Sequence, residues 1–470
     1  MTRPDPALPD VGSHSATVSR RERIAMLLFT AACGVMYAVW AAKIPYNHAP
    51  DEAMRYVIVE YIVRHGTLPS GLDPAIRDGL WGTSYAFQPI LNYMVGAGFA
   101  IVSGWLGGGA AAQLFAARLA SVLCGLGTVA VCVTLGRHFF VGPWRWLFPV
   151  VVGLLPQFAF LSAYVNNDSL GLFSSALVVL AWVRVLRGGW SIRNGLLLGV
   201  ALAVCSLSYF NAYGFILLSV VLCLAERILA WRESVDRRQF WRTTGLAVGV
   251  VVGAWVVLAS WWFIRNGILY DGDLLGLASS NASIEKYGHP SIQANAHSGQ
   301  SKGYTLLEML FLRTWLIATG MSAVGMFGYQ DKWISGYSYV FYAGMGVVSA
   351  AGWVPLVLRT MPRWRGRLTS PGESPVLGWL TGGRRILLLG VFVAAIIIPW
   401  VLSIHRSYYQ DIQKQGRYIL PMLIPMAFFV VWGFAWLVER FAMRWRTWIV
   451  AGLVAALTVI VLQAFTVAIR

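Results

Sequence analysis

Apolar runs of about 20 residues, each long enough to cross the hydrocarbon core of a bilayer as a helix, recur along the chain. They begin near Ile24 and continue to Ala468, with no polar stretch between them that could fold as a sizeable soluble domain. Only 12% of the 470 residues are charged and the mean hydropathy is +0.63, so the chain has too little polar surface to cover itself in water. We predict an all-α integral membrane protein with one polytopic domain, residues 21–470, after a disordered cytoplasmic segment, residues 1–20.

The basic residues orient the predicted helices, since cytoplasmic loops of membrane proteins carry an excess of lysine and arginine. Arg20, Arg21 and Arg23 precede the first apolar run, which predicts a multi-pass protein of the cell membrane with a cytoplasmic N-terminus. About eleven crossings satisfy this rule throughout. They lie near 24–42, 111–135, 145–163, 169–186, 194–210, 212–229, 243–264, 338–358, 385–404, 418–437 and 447–468.

The segment from Gln88 to Leu106 is apolar enough to span, but a crossing there would invert every later loop. We therefore expect it to form a helix that lies at, or dips into, the membrane interface. The extracytoplasmic side then carries three loops, at residues 43–110, 265–337 and 405–417. Because long structured loops are usually functional, we expect the chemistry on this side.

The first of these loops contains Asp51 and Glu52, with His48 just before them and Arg55 just after. Adjacent acids at a membrane surface are costly to bury and need a task or a partner. They could simply cap a helix, since acidic residues are favoured in a first turn. Alternatively, desolvation beside the membrane would raise the pKa of Asp51 and make it a base. An amphipathic helix from Asp51 to Arg64 is predicted to lie along the membrane.

Polar residues also stand at the extracytoplasmic ends of other predicted spans. Asn167 and Asp168 could form a tight, capped turn and nothing more, since both residue types favour such turns. Arg265 and Arg417 run against the orientation rule and therefore call for an anionic partner. Lipid headgroups could be that partner, and so could a phosphate-bearing substrate, because a guanidinium grips phosphate oxygens in two places.

Together these segments resemble the type C superfamily of multispanning glycosyltransferases (GT-C). The resemblance runs along nearly the whole chain and rests on PDEAMRYVIVEYIVRHGTLP, QPILNY, VNNDSL, WFIRNGILYDGD and QGRYILP, in that order. It implies a sugar donor on a polyprenyl phosphate, a catalytic acid in the first external loop, and interfacial helices that help form the active site. Asp51 matches that acid, Glu52 its neighbour, Asp168 a second external acid, and Arg417 the basic residue near the lipid phosphate. The sequence departs from the family at Arg55, where the motif often has histidine.

The resulting hypothesis is a single displacement with inversion at the anomeric carbon, which needs a base and cations for the leaving phosphate. Asp51 would be the base, with Glu52 and Asp168 as further catalytic residues that position the acceptor or the base. The predicted substrate-binding residues are His48, Arg55, Gln88, Asn167, Arg265, Lys414, Arg417 and Tyr418.

No cofactor is required, although a Mg²⁺ or Mn²⁺ ion could bridge Asp51, Asp168 and His48. The predicted partners are a polyprenyl-phosphate-sugar donor, a glycan, lipid or protein acceptor of the cell envelope, and membrane lipids. Nucleic acid is not a predicted partner, since the arginines lie in short clusters between apolar runs rather than in one patch with exposed aromatics.

Two other function classes stay open. A flippase or transporter of lipid-linked sugars would line a pathway with the same charges, although no internal repeat of the transporter kind is evident. An O-antigen-type polymerase or ligase also depends on arginines in external loops, but the Asp51-Glu52 pair disfavours it. Separately, Gly245, Gly249 and Gly253 recur at every fourth residue, which predicts close packing of their helix against a neighbour.

Overall fold

A computed structural model of the chain describes residues 19–291, 297–360, 376–377, 379–380 and 382–470. Most of the segment predicted to be disordered, residues 1–18, lies outside these ranges. The described part consists of α-helices, short 3₁₀ or π turns and one small hairpin. The helices are α1 Arg20–Lys43, α2 Glu52–His65, α3 Leu91–Trp105, α4 Ala110–Phe139, α5 Trp144–Gly153, α6 Pro156–Leu161, α7 Asp168–Gly188, α8 Ile192–Ser206, α9 Gly214–Glu233, α10 Arg237–Leu269, α11 Leu277–Tyr287, α12 Trp315–Gly325, α13 Gly336–Thr360, α14 Gly382–Tyr409, α15 Leu423–Phe441 and α16 Arg446–Ala468; strands β1 Met326–Phe327 and β2 Lys332–Trp333 form the hairpin.

Eight helices in the described ranges are long and apolar enough to cross a membrane. They confirm a multi-pass, all-α membrane protein, whereas the predicted number of about eleven crossings stays a prediction. The predicted span 145–163 is divided into α5 and α6. Pro156 begins α6, and Leu155 before it is extended (ψ 121°), because proline disfavours the helical conformation in the preceding residue.

The most deeply buried of these helices are α4, α7 and α15, whereas α10 and α16 are largely exposed along their lengths, as expected of lipid-facing helices. The predicted close packing at Gly245, Gly249 and Gly253 is wrong, since a Cβ placed at any of them would have open space around it. Close helix packing occurs instead between α13 and α15. A Cβ on Gly433 would lie 2.2 Å from the carbonyl oxygen of Ser349.

The segment predicted to be interfacial contains α3, which packs antiparallel beside the first half of α4. Asn92 contacts Ser121, and the backbone of Gly96 lies against Ala117. With 15 residues, α3 is about 22 Å long, shorter than the roughly 30 Å core of a bilayer. The helix predicted from Asp51 to Arg64 is present as α2 and packs on α3.

The hairpin β1–β2 connects the long loop after α10 to the first loop. The phenol of Tyr329 at its turn donates to Oδ1 of Asn47 at 2.9 Å. Nζ of Lys332 lies 3.2 Å from Nδ1 of His48. The hairpin therefore covers the chain just before Asp51.

Candidate active site

Asp51 occupies a backbone conformation that frees its side chain. Its φ of 62° is left-handed, a conformation that costs a non-glycine residue of order 1–3 kcal/mol, and it makes no side-chain cap hydrogen bond to α2. Asn47 performs the capping instead, since its Oδ1 accepts from the amide of Ala53 at 3.2 Å. The interpretation of Asp51 as a plain helix cap therefore does not describe its contacts.

The freed carboxylate of Asp51 meets residues from distant parts of the chain. Its Oδ2 accepts from Nη2 of Arg417 at 2.7 Å and from the phenol of Tyr85 at 2.9 Å. Nη2 of Arg55, one turn along α2, lies 3.9 Å from the same oxygen. The first loop, the turn before α3 and the loop before α15 thus converge on this carboxylate.

These contacts reverse the pKa shift that we expected from desolvation alone. Burial raises the pKa of the Asp51 carboxyl. The positive charges of Arg417 and Arg55, with the hydrogen bonds from Arg417 and Tyr85, lower the pKa by more than burial raises it, so that it falls to about 2. Asp51 is therefore ionised at neutral pH and is a weak base while Arg417 remains bound to it.

Asp168, at the start of α7, is the second carboxylate of the site. The turn before it is capped by Asn166, whose Oδ1 accepts from the amide of Ser169 at 2.8 Å. The carboxylate of Asp168 faces Nη1 of Arg55 at 3.2 Å. Arg55 therefore stands between the two acids, with its guanidinium 4.7 Å from the centre of the Tyr85 ring.

Several buried polar atoms around this cluster lack hydrogen-bond partners among the described residues. All three guanidinium nitrogens of Arg55 and both carboxylate oxygens of Asp168 belong to this group, as do Nε and Nη1 of Arg417. The phenols of Tyr93 and Tyr164 and Oδ1 of Asn167 complete it. Nη1 of Arg55 and Oδ2 of Asp168 still form an ion pair at 3.2 Å. The other atoms have no such partner, and because each unsatisfied buried group costs about 1–3 kcal/mol, their concentration favours a polar, charged ligand.

Glu52, the neighbour of Asp51, is fully buried and both of its oxygens bind Arg118. Nε of Arg118 donates to Oε1 at 2.8 Å and Nη2 donates to Oε2 at 2.7 Å. Nη1 of Arg118 also donates to the carbonyls of Ala41 and Ile44, at 2.7 and 2.6 Å. This network joins α4, the end of α1 and the start of α2, and so holds the backbone on which Asp51 is mounted.

Of the remaining predicted site residues, Gln88, Asn167 and Tyr418 lie beside the cluster, whereas Lys414, Arg265 and His48 have their contacts elsewhere. Oε1 of Gln88 accepts from Asn167 at 3.3 Å, beside Asp168, and the phenol of Tyr418 accepts from Arg417 at 3.2 Å. Lys414, by contrast, donates to the carbonyl of Arg313 at 2.6 Å. Arg265 donates to the carbonyls of Leu68 and Pro69, and His48 contacts the hairpin.

The sequence prediction missed Tyr85, Arg118 and Arg406. Arg118 carries a recognisable signal, because a charged residue inside an apolar span marks a functional or structural pairing. Arg406 lies 5.5 Å from the centre of the Tyr418 ring, and its place inside the third predicted external loop, residues 405–417, could have marked it. Tyr85 has no such signal, since a single tyrosine in a loop is unremarkable until Asp51 is found beside it.

The three residues considered as bridging ligands of a divalent ion do not converge. Arg55 separates Asp51 from Asp168, and His48 lies against Lys332. Among the residues that the structure describes, no group of three or more histidine, cysteine or acidic side chains could hold a metal ion. We derive no catalytic step through a metal.

Comparison with known proteins identifies the fold. No known sequence family and no curated protein matches this sequence. The Archaeoglobus fulgidus oligosaccharyltransferase in its apo form aligns with a TM-score of 0.53 over 96% of this chain and 56% of its own, at 11% identity. The same enzyme in complex with Zn and sulfate gives 0.52 over 93% and 52%, at 12% identity.

ArnT from Cupriavidus metallidurans bound to undecaprenyl phosphate aligns over 88% of this chain and 78% of its own, at 15% identity, with a TM-score of 0.40 that carries no further argument. The chain spans about half the length of the oligosaccharyltransferase, with 52% to 56% of that protein aligned. The similarity extends over 93% to 96% of the present chain. The chain therefore has the fold of the type C glycosyltransferases.

Proposed function

We propose that this protein is a membrane glycosyltransferase that moves a sugar from a polyprenyl-phosphate donor to an acceptor, with inversion at the anomeric carbon. The observation that carries the proposal is the contact of Asp51 with Arg417, surrounded by buried guanidinium nitrogens that lack hydrogen-bond partners among the described residues. A base and phosphate-binding cations are what this transfer needs. The fold, shared with an oligosaccharyltransferase, supports the same reaction class.

The donor phosphate would bind to Nε and Nη1 of Arg417 and lie beside Arg55, whose Nη1 and Nη2 already face Asp168 at 3.2 Å and Asp51 at 3.9 Å. Guanidinium N–H groups donate strong, charge-assisted hydrogen bonds to phosphate oxygens, and Nε and Nη1 of Arg417 each lack a hydrogen-bond partner among the described residues. Phosphate bound there would draw positive charge away from Asp51 and raise the pKa of its carboxyl. The donor itself would thus convert a weak base into a stronger one.

In the transfer, the acceptor oxygen or nitrogen attacks the anomeric carbon from the face opposite the phosphate. The bond between that carbon and the phosphate oxygen breaks, and its electron pair leaves with the polyprenyl phosphate. The acceptor proton passes to Asp51. Asp168 holds Arg55 in place for the phosphate, and Glu52 acts through Arg118 as a positioning residue.

The acceptor in this proposal is a cell-envelope glycan, lipid or protein that reaches the Asp51 side of the membrane. That side is extracytoplasmic if the arginine-rich loops are cytoplasmic, as the orientation rule predicts. Lys414 and Arg265 are not assigned to the donor phosphate, because they lie outside the cluster, where Lys414 donates to the carbonyl of Arg313 and Arg265 to those of Leu68 and Pro69.

The test compares the wild type with Asp51→Asn in proteoliposomes, with radiolabelled sugar on polyprenyl phosphate and a membrane extract as acceptor source. Loss of a general base lowers kcat by about 10²–10⁴-fold. Binding of polyprenyl phosphate should persist in Asp51→Asn, because Arg417 is then released to the phosphate. Glu60→Gln is the matched control, since Glu60 is a half-exposed acid on the same helix.

Equal transfer rates in the wild type and Asp51→Asn would remove Asp51 as the base. Movement of intact donor across the bilayer with no transfer to any acceptor would support the flippase instead. A product that retains the donor's anomeric configuration would contradict the single displacement.

A further inference from the structure

A cavity lies at the opposite end of α2 from Asp51. It has a volume of about 710 Å³ and opens between the end of α2, the loop that follows it and the end of α10. Tyr61, on its wall, is ten residues from Asp51, a separation of about 15 Å along a helix. Neither Asp51 nor Arg417 lines this cavity, so it is distinct from the candidate active site.

One wall of this cavity belongs to the lipid-facing surface of α10. Ile264 and Ile268 line it and are 59% and 76% exposed, and Leu68 and Trp261 add further apolar surface. Tryptophan and tyrosine at the end of a span are typical of the boundary between hydrocarbon and headgroups. An occupant of the cavity would therefore have both an apolar and a polar part.

The cavity also carries one positive and one negative side chain. Nη2 of Arg265 donates to the carbonyls of Leu68 and Pro69 at 3.3 and 2.8 Å, whereas its buried Nη1 has no hydrogen-bond partner among the described residues. The carboxylate of Asp73 accepts from the amide of Ala75 through Oδ1 and also from the phenol of Tyr61, but it has no cationic partner among the described residues. Arg265 and Asp73 line the same cavity. Both belong to the part of the chain that the structure describes, and they do not form an ion pair with each other.

We propose that this cavity binds a zwitterionic phospholipid with a phosphate and a primary ammonium in its headgroup. The phosphate accepts from Nη1 of Arg265, the ammonium donates to Asp73, and the acyl chains follow Ile264 and Trp261 along α10 towards the middle of the span. The two opposite charges select against other amphiphiles. A polyprenyl phosphate or an anionic phospholipid without an ammonium leaves Asp73 without a cationic partner and repelled by the phosphate.

This lipid would hold the loop after α2 against α10. That loop already contacts the end of α10 through the amide of Gly71, which donates to the phenol of Tyr270 at 2.9 Å. The inference concerns lipid binding alone and does not depend on the proposed glycosyl transfer.

The test uses the full chain in nanodiscs that contain a photoreactive phosphatidylethanolamine, with unlabelled competitors in the surrounding lipid. Labelling should map to residues 261–269 and to the loop of residues 66–73. Unlabelled phosphatidylethanolamine should compete at least tenfold better than phosphatidylglycerol or polyprenyl phosphate. Arg265→Gln should reduce labelling about tenfold, which corresponds to 1.4 kcal/mol of binding free energy.

Asp73→Asn is the more specific test. This variant should still be labelled, but it should lose the preference for phosphatidylethanolamine over phosphatidylglycerol. Ile268→Trp, at an exposed position, should block labelling by filling the cavity without disturbing the core. Arg64→Gln is the control for a nearby exposed arginine. The proposal would be overturned if phosphatidylglycerol competed as well as phosphatidylethanolamine in the wild type, or if polyprenyl phosphate competed better. It would also be overturned if Arg265→Gln were fully labelled while unfolding like the wild type.

Discussion

Asp51 is the residue whose chemistry depends most on its neighbours. Arg417 and Arg55 hold the pKa of its carboxyl at about 2 despite burial, whereas an aspartate in an unfolded chain titrates near 3.9. A carboxyl with a lowered pKa contributes stability above the unfolded value and loses that contribution as the pH falls towards the folded value. The stability that Asp51 adds should therefore be complete above about pH 5 and decline between about pH 4 and pH 2.

This dependence can be measured by comparing thermal unfolding of the wild type and Asp51→Asn in detergent at pH values from 6 to about 2.5. We expect the wild type to be more stable at pH 6 and the difference to shrink on acidification. Glu60→Gln should show a small difference throughout, since exposed ion pairs contribute little. A constant difference between the wild type and Asp51→Asn across the whole range would contradict the low pKa.

Glu52 and Arg118 form a second ionic contact, which we expect to stabilise the fold and to hold the start of α2 in position. Removing one partner of a buried pair leaves an uncompensated charge and costs about 3–5 kcal/mol. Arg118→Met should therefore lower the unfolding midpoint and the folded yield strongly. The double variant Glu52→Gln with Arg118→Met should recover part of the loss, because no unpaired charge remains.

The exposed pair of Arg64 and Glu60 provides a control for this comparison, since its side chains are 71% and 40% exposed. Arg64→Met should change the free energy of unfolding by less than about 1 kcal/mol. If Arg118→Met and Arg64→Met had the same unfolding midpoint, the buried pair would contribute no more to stability than the exposed one.

At the scale of elements, the start of α2 determines where Asp51 points. Asn47 caps the helix through Ala53 and itself has a φ of 57°, which asparagine tolerates better than most residues. Asn47→Ala removes the cap and strains the turn, so we expect a loss of about 0.5–2 kcal/mol in stability together with a fall in kcat. Asn47→Asp keeps a capping oxygen and should retain more of both.

These expectations for Asn47 are checked by chemical or thermal unfolding and by the rate of sugar transfer measured on the same preparations. Tyr329→Phe, which removes the hydroxyl that contacts Asn47, separates the influence of the hairpin from that of the cap. If Asn47→Ala and Asn47→Asp behaved alike in both measurements, the cap would not position Asp51.

The start of α2 also shows what sequence could and could not predict. Periodicity and composition predicted α2, the membrane helices and the importance of Asp51, because those signals lie in neighbouring residues. The contact between Asp51 and Arg417 joins positions 366 residues apart. The resemblance to a known superfamily placed both residues in one active site, but it did not predict that they touch. Glu52 could not be assigned to Arg118, nor Arg265 to a separate cavity, since burial and direction depend on packing between distant helices.

At the scale of the whole molecule, the packing of α13 against α15 connects the membrane core to the site. Gly352 and Gly433 bring the two backbones together, and a Cβ on Gly352 would lie 2.3 Å from the carbonyl oxygen of Gly433. The chain just before α15 carries Arg417. A forced separation of these helices should therefore shift Arg417 relative to Asp51, in addition to loosening the core.

Gly433→Ala tests this coupling, with Gly249→Ala as a matched control in an open part of α10. An added Cβ at Gly433 meets the backbone of Ser349 at 2.2 Å, and backbone cannot yield as a flexible side chain can, so overpacking should cost about 1–3 kcal/mol. The same change at Gly249 meets nothing within 4 Å and should be neutral or slightly stabilising, since alanine favours a helix. Unfolding midpoints and transfer rates should both fall in Gly433→Ala and hold in Gly249→Ala. If Gly433→Ala lowered the unfolding midpoint but left the transfer rate unchanged at a temperature where it is folded, α15 would support the core without setting the position of Arg417.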